Sequence, residues 1–134
     1  MRVFLDTNVL AAAVATRGLC SELLESVMHG HELVTCQQVL AELKRVLSGK
    51  LRVPAPVVEN FLALLKSEAR VVESRKMPSL PIKDADDIPI LACAIDAAVD
   101  VFVTGDKELL DLRHIGKLRI ISPRQLWNRL AGLE

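Results

Sequence analysis

Short apolar runs that end on a carboxylate are the repeating pattern of this chain. Val3-Phe4-Leu5 runs into Asp6-Thr7-Asn8, and Val101-Phe102-Val103 runs into Thr104-Gly105-Asp106. Each reads as a buried strand, the first spanning Arg2 to Leu5 and the other Val101 to Thr104. Between them the spacing changes to that of helices. Leu23, Leu24, Val27 and Met28 predict a helix over Leu19 to Met28, stopped by Gly30. Glu32 to Thr35 predicts a second strand. From Cys36 to Leu47 the positions Val39, Leu40, Leu43, Val46 and Leu47 form one stripe with Glu42 on its flank, and Ser48-Gly49 ends it. Pro54 and Pro56 introduce a helix to about Ala69, with Val57, Phe61, Leu64 and Leu65 as its expected buried side. Val71-Val72 reads as an edge strand before a loop punctuated by Pro78 and Pro81. A helix then runs from about Asp87 to Ala98, tolerating Pro89 in its first turn. Lys107 to Leu112 reads as a short helix and Leu118 to Ile121 as a strand. Ser122, Pro123 and Gln125 make a capping box for a last helix to about Leu130. Strands alternating with helices imply an α/β protein with a parallel or mostly parallel sheet covered on both faces.

Composition narrows this further. A chain of 134 residues is expected to form one domain. Hydrophobic residues make up 51% and aromatic ones only 3%, so the core must be aliphatic. Seventeen basic residues balance seventeen acidic ones, which excludes a strong nonspecific hold on nucleic acid by overall field but not a local basic face. The N-terminal apolar stretch is interrupted by Asp6 and Asn8, unlike a secretory signal core. Ile88 to Val103 carries Asp96 and Asp100 and falls short of the ~20 residues of a membrane span. The expectation is a soluble, cytoplasmic protein without a membrane segment. Cys20, Cys36 and Cys93 lack metal-ligand spacing and read as reduced, buried thiols.

The acidic residues carry the candidate chemistry. In open α/β sheets, ligands gather in the crevice outside the carboxyl ends of the strands, so Asp6 and Asp106 can face one site. Glu42 and the run Asp84-Ala85-Asp86-Asp87 add acidic signals on helical stretches. Like charges at 4 Å repel by roughly 4 kcal/mol at an effective dielectric near 20, which makes a hard divalent metal the natural counter-charge. Each residue also has a plain structural reading. Asp6, Asp106 and Asp86 or Asp87 suit helix N-caps, and Glu42 suits an exposed helical face. No Ser-His-Asp arrangement is apparent, and His29, His31 and His114 lie in or beside expected turns. Arg17, Lys44, Arg45, Lys83 and Lys107 lie near the acidic motifs in sequence and are candidates for a substrate path.

Taken in order, Val3-Phe4-Leu5-Asp6-Thr7-Asn8-Val9-Leu10, Leu40-Ala41-Glu42-Leu43, Asp84-Ala85-Asp86-Asp87 with Leu91-Ala92-Cys93-Ala94, Val103-Thr104-Gly105-Asp106-Lys107-Glu108 and Ile121-Ser122-Pro123-Arg124-Gln125-Leu126 resemble a PIN-domain protein, of the VapC-like ribonuclease toxins. The resemblance implies a three-layer α/β/α sandwich. It implies an acidic site of Asp6, Glu42, Asp87 and Asp106, in which Asp6, Asp87 and Asp106 hold Mg²⁺ or Mn²⁺ and hydrolyse single-stranded RNA. Asn8 and Thr104 would be polar supports, with Asp84 the alternative third acid. A protein antitoxin and a homodimer are the implied partners; the neutral, aliphatic-rich composition itself leaves apolar surface for pairing, with the helices at Leu19 to Met28 and Pro54 to Ala69 as the candidate face. A haloacid-dehalogenase-like phosphotransfer enzyme would want a second Asp where this chain has Asn8. A receiver-like one, and a non-catalytic PIN-fold RNA-binding or scaffold module, are the other rivals; the presence of all four acids argues for an intact site.

Overall fold

Val3, Phe4 and Leu5 have no exposed surface, and neither do Val101 and Val103. Strands buried at successive residues must be covered on both faces and paired on both edges. The computed structural model describes residues 1–73, 82 and 84–133; Pro78, Pro81 and Lys83 lie outside the described residues. In it, β1 (Arg2–Leu5) is flanked by β2 (Glu32–Cys36) and β4 (Val101–Val103), both parallel to it. Strand β3 (Arg70–Val72) continues the sheet beyond β2, and β6 (Leu118–Ile121) continues it beyond β4, again in parallel. The two-residue β5 (His114–Ile115) closes the far edge antiparallel to β6, giving the order β3-β2-β1-β4-β6-β5. This is the mostly parallel α/β/α arrangement expected from the sequence.

The connections are helical. Helices α1 (Thr7–Ala15) and α2 (Leu19–Gly30) link β1 to β2. Between β2 and β3 come α3 (Gln37–Arg45), a π-helical turn at Val46–Lys50, and α4 (Ala55–Glu68). Helix α5 (Asp87–Asp96) precedes β4, α6 (Lys107–Leu112) follows it, and α7 (Pro123–Leu130) follows β6. The chain steps twice in one direction and then crosses back over β2 and β1 to reach β4. Right-handed crossovers then place α5 on the face opposite α1 and α2. Helix α1 packs on α2 and α3, α7 packs on α2, and α5 packs on β2. Phe4 and Phe102, paired across β1 and β4, stack with centroids 5.2 Å apart and an interplanar angle of 14°. No helix among the described residues is long and apolar enough to cross a membrane.

Four local features depart from the sequence reading. Helix α1 was not anticipated, because its Ala-rich run has apolar side chains all round and so no amphipathic period. Such helices are buried ones, and Val9, Leu10 and Ala11 are indeed in the core. Ser48-Gly49 does not stop α3; the chain widens into the π-helical turn instead. Strand β5 is too short to leave a periodic signal. In α4 the buried side is Val58, Leu62 and Leu65, while Val57 and Leu64 are 45% and 41% exposed. Both stripes of that helix are apolar, so spacing alone did not say which one faces inward. The capping box formed as expected: the Ser122 Oγ accepts from the Gln125 N–H and the Gln125 side chain accepts from the Ser122 N–H.

The α4 register is testable by two neighbouring truncations. Leu65→Ala should destabilise the fold by about 2–5 kcal/mol, and Leu64→Ala by about 0.5 kcal/mol or less. Urea unfolding of the two variants checks this; equal losses would return α4 to the register read from the sequence.

Candidate active site

The connection leaving β1 runs to β2 on one side and the connection leaving β4 runs toward β5 and β6 on the other, so the carboxyl ends of β1 and β4 border the topological switch point of the sheet. The ladder continues one residue past the strands. The Asp6 N–H donates to the Val103 carbonyl at 2.9 Å, and the Thr104 N–H donates to the Ile121 carbonyl at 3.0 Å. Strand alternation then turns Asp6 and Thr104 to the same side as the stacked Phe4 and Phe102. A chain of hydrogen bonds joins the three polar positions. Thr104 Oγ1 donates to Asp6 Oδ2 at 2.8 Å and accepts from the Asp106 N–H at 3.0 Å. Asp6 Oδ1 accepts from the Thr7 N–H at 2.8 Å, and Asp106 Oδ1 accepts from the Glu108 N–H at 2.9 Å. The capping role and the site role are therefore compatible, since each cap uses one carboxylate oxygen. Thr104 is fully buried and Asp6 is 8% exposed, so this geometry is held from the interior. Asn8 is exposed in the first turn of α1, outside this chain of bonds.

Glu42 and Asp87 face a neighbouring cleft of about 400 Å³, which Asp84, Asp86 and Arg45 also line. The cleft is shaped by the start of α5: Asp84 Oδ1 accepts from the Asp86 N–H at 3.0 Å, and its carbonyl accepts from the Asp87 N–H at 3.2 Å. Gln38, whose Oε1 lies 3.9 Å from the Cys93 thiol, borders it as well, and no motif in the sequence marked that residue. The two halves of the site sense each other. Burial, then the charges of Asp84, Asp6, Asp106 and Glu42, push the Asp87 carboxyl from 3.8 up to about 7. Burial and the Asp6 charge raise Glu42, with Arg45 opposing. Burial raises Asp6 too, while the bonds from Thr104 and Thr7 hold it down. Asp87 is thus the point on which the other acids converge, and it sits deeper than the exposed Asp84.

Among the described residues no group of three Asp, Glu, His or Cys side chains is placed to hold a metal ion. None of Asp6, Glu42, Asp84, Asp86, Asp87 or Asp106 forms a salt bridge with a described residue. An all-oxygen, uncompensated donor set fits a hard divalent cation. Of the cations picked out by sequence proximity, Arg45 lines the cleft, Lys44 is paired with Glu59 at 3.6 Å, and Arg17 and Lys107 are exposed. His29 and His31 border a separate hollow with Met1, Arg2 and Asp100, at the opposite ends of the strands, and His114 is on the far edge. None of the three cysteines forms a disulfide with a described residue; Cys36 and Cys93 are buried, whereas Cys20 is only half-buried, short of the burial expected of it.

The sequence signature of the PIN domain matches residues 2–108 of this chain. A search of curated proteins gives no match. Two solved structures share the fold. VapBC2 from Rickettsia felis, crystallised with a DNA fragment from its promoter, is 18% identical with a TM-score of 0.64; the similarity covers 91% of this chain and 98% of that one. PAE2754 from Pyrobaculum aerophilum is 19% identical with a TM-score of 0.68, covering 98% and 96%.

The Asp87 shift has a stability consequence of definite sign. A carboxyl raised from 3.8 to about 7 binds its proton more tightly in the folded chain than in the unfolded one. Metal-free protein should therefore be most stable, as far as Asp87 is concerned, below the lower of those values and lose that contribution as pH rises through the upper one. Asp87→Asn should flatten the decline. Denaturant midpoints measured in chelator across this range check it, and an unchanged slope in the variant would contradict the assignment.

Proposed function

This chain belongs to the PIN-domain family, and from that premise we propose that it is a Mg²⁺- or Mn²⁺-dependent endoribonuclease, hydrolysing phosphodiester bonds of single-stranded RNA as the toxin of a toxin–antitoxin pair. The observation that supports this reading is that one Thr104 hydroxyl links Asp6 and Asp106 at the strand ends, while Glu42, Asp84, Asp86 and Asp87 line a neighbouring cleft. Neighbouring acids with one arginine among them repel one another. A bound cation would offset that repulsion, which favours a metal-dependent site over a scaffold.

In this reading Asp6, Asp87 and Asp106 hold the metal. When bound, the ion supplies a lowered pKa for attacking water and positive charge against the phosphate oxygens. The chain's own residues set up that site. Thr104 fixes Asp6 and Asp106 relative to each other through its donated and accepted bonds. Glu42, held on α3 across the cleft, adds to the negative field that raises the Asp87 carboxyl, a field that a cation would relieve. The buried floor formed by Thr104 keeps bulk water away from the rear of the carboxylates.

A toxin role is supported by the fold shared with VapBC2, and it carries a protein antitoxin and a cytoplasmic location with it. A homodimer accords with the exposed Val57 and Leu64 on α4 and Leu51 beside it. Helix α2 contributes less than the sequence suggested, because Leu23, Leu24 and Val27 are spent in the core. Symmetric pairing through one patch is the commonest arrangement for soluble oligomers.

Two measurements test these readings. Asp6→Asn and Asp106→Asn should each abolish most metal-dependent RNA cleavage while leaving the melting temperature of the apo protein equal or higher; full cleavage in both variants, or in excess chelator, would overturn the nuclease assignment. Light scattering over a wide concentration range should give a dimer that Val57→Lys with Leu64→Lys dissociates. A monomer at every concentration would remove the dimer alone.

A further inference from the structure

We propose that the acidic cleft between α3 and the start of α5 takes the nucleobase next to the scissile bond and reads it through Gln38 and Asp86, favouring guanine and uracil over adenine and cytosine; the proposal rests on the nuclease reading above. Gln38, Glu42, Asp86 and Asp87 line one cleft of about 400 Å³, so the two reading groups share an opening with two of the candidate catalytic acids. On α3, Gln38 precedes Glu42 by one turn on the same face, about 6 Å along the axis. That separation is within the span of a single nucleotide.

What enters this cleft must tolerate its charge. Four carboxylates and one arginine line it, an environment that repels a phosphate and admits a neutral base. Ala41, Pro89 and Ile90 add an apolar wall against which the face of a base can rest. The polar groups are oriented as well. Gln38 Oε1 accepts from the Cys93 thiol at 3.9 Å, and Cys93 is fully buried on α5. With its oxygen turned to the interior, the Gln38 amide offers its two N–H donors to the cleft. Asp86 stands at the N-cap of α5, yet its carboxylate makes no cap bond and remains an acceptor. It is also the one acid of the cleft that the metal reading leaves unassigned. A donor and an acceptor in one cleft match a base edge on which a carbonyl oxygen lies beside a ring N–H. Guanine and uracil carry that edge, whereas in adenine and cytosine an amino group and a bare ring nitrogen reverse it.

The test uses the full chain and single-stranded RNA of mixed sequence, with the cleaved ends sequenced. The wild type should cleave beside guanine or uracil with kcat/KM about tenfold above that beside adenine or cytosine. Gln38→Ala and Asp86→Ala should each erase most of that ratio, and Gln38→Glu, which turns the donor into an acceptor, should reverse it. Cys93 is a positioning residue in this scheme. Cys93→Ala should lower the ratio, and Cys93→Ser, which keeps a donor to the Gln38 oxygen, should retain it. Equal cleavage beside all four bases, or an unchanged ratio in Gln38→Ala, would overturn the proposal and leave the nuclease reading standing. If the wild type cleaves no RNA, that reading fails by itself. Fluorescence anisotropy then decides the cleft: an oligocytidylate carrying one guanine or uracil should bind about tenfold more tightly than the unsubstituted strand, with the difference lost in Gln38→Ala, and equal binding refutes the proposal. An arginine-rich peptide bound through Gln38 with no discrimination among bases would assign the cleft to a protein partner and refute it as well. Should Gln38→Ala fail to melt cooperatively, Gln38→Glu carries the same readouts.

Discussion

Parallel pairing of β1 with β2 on one edge and β4 on the other is the constraint from which the rest of this molecule follows. It requires consecutive apolar residues in both central strands, supplied by Val3 to Leu5 and Val101 to Val103. It requires long crossovers, which the helices provide. It also creates the gap in connectivity at the strand ends where Asp6 and Thr104 meet. The hydrogen bond between them is a continuation of the ladder by side chains.

Against that rigid frame the acidic cluster is a source of internal repulsion. Thr104 limits the effect by donating a hydrogen bond to Asp6 and accepting one from the Asp106 N–H, so two like charges are positioned by one neutral group. Asp87, on a different element, meets the remaining field and responds by holding its proton to near neutral pH. The aliphatic core, closed around the stacked Phe4 and Phe102, provides the stability that tolerates this arrangement.

Much of this was legible in the residues, for identifiable reasons. Continuous apolar runs announced β1 and β4, and the Ser122-Pro123-Arg124-Gln125 box announced α7, because both signals are local. Asp6, Thr104 and Asp106 were marked by standing at strand ends. The register of α4 was not legible, since Val57 and Val58 are equally apolar and only tertiary packing separates them. Helix α1 was hidden by its own uniformity.

The bond between Thr104 and Asp6 spans 98 positions of the sequence. A ribosome adding about 5–20 residues per second needs roughly 5–20 s to cover that distance. Throughout that interval the emerging chain carries the first acid without its orienting hydroxyl, and β1 has only one of its two neighbours. Any product that terminates before β4 is therefore chemically incomplete. The candidate acidic site can assemble only after β4 has been made.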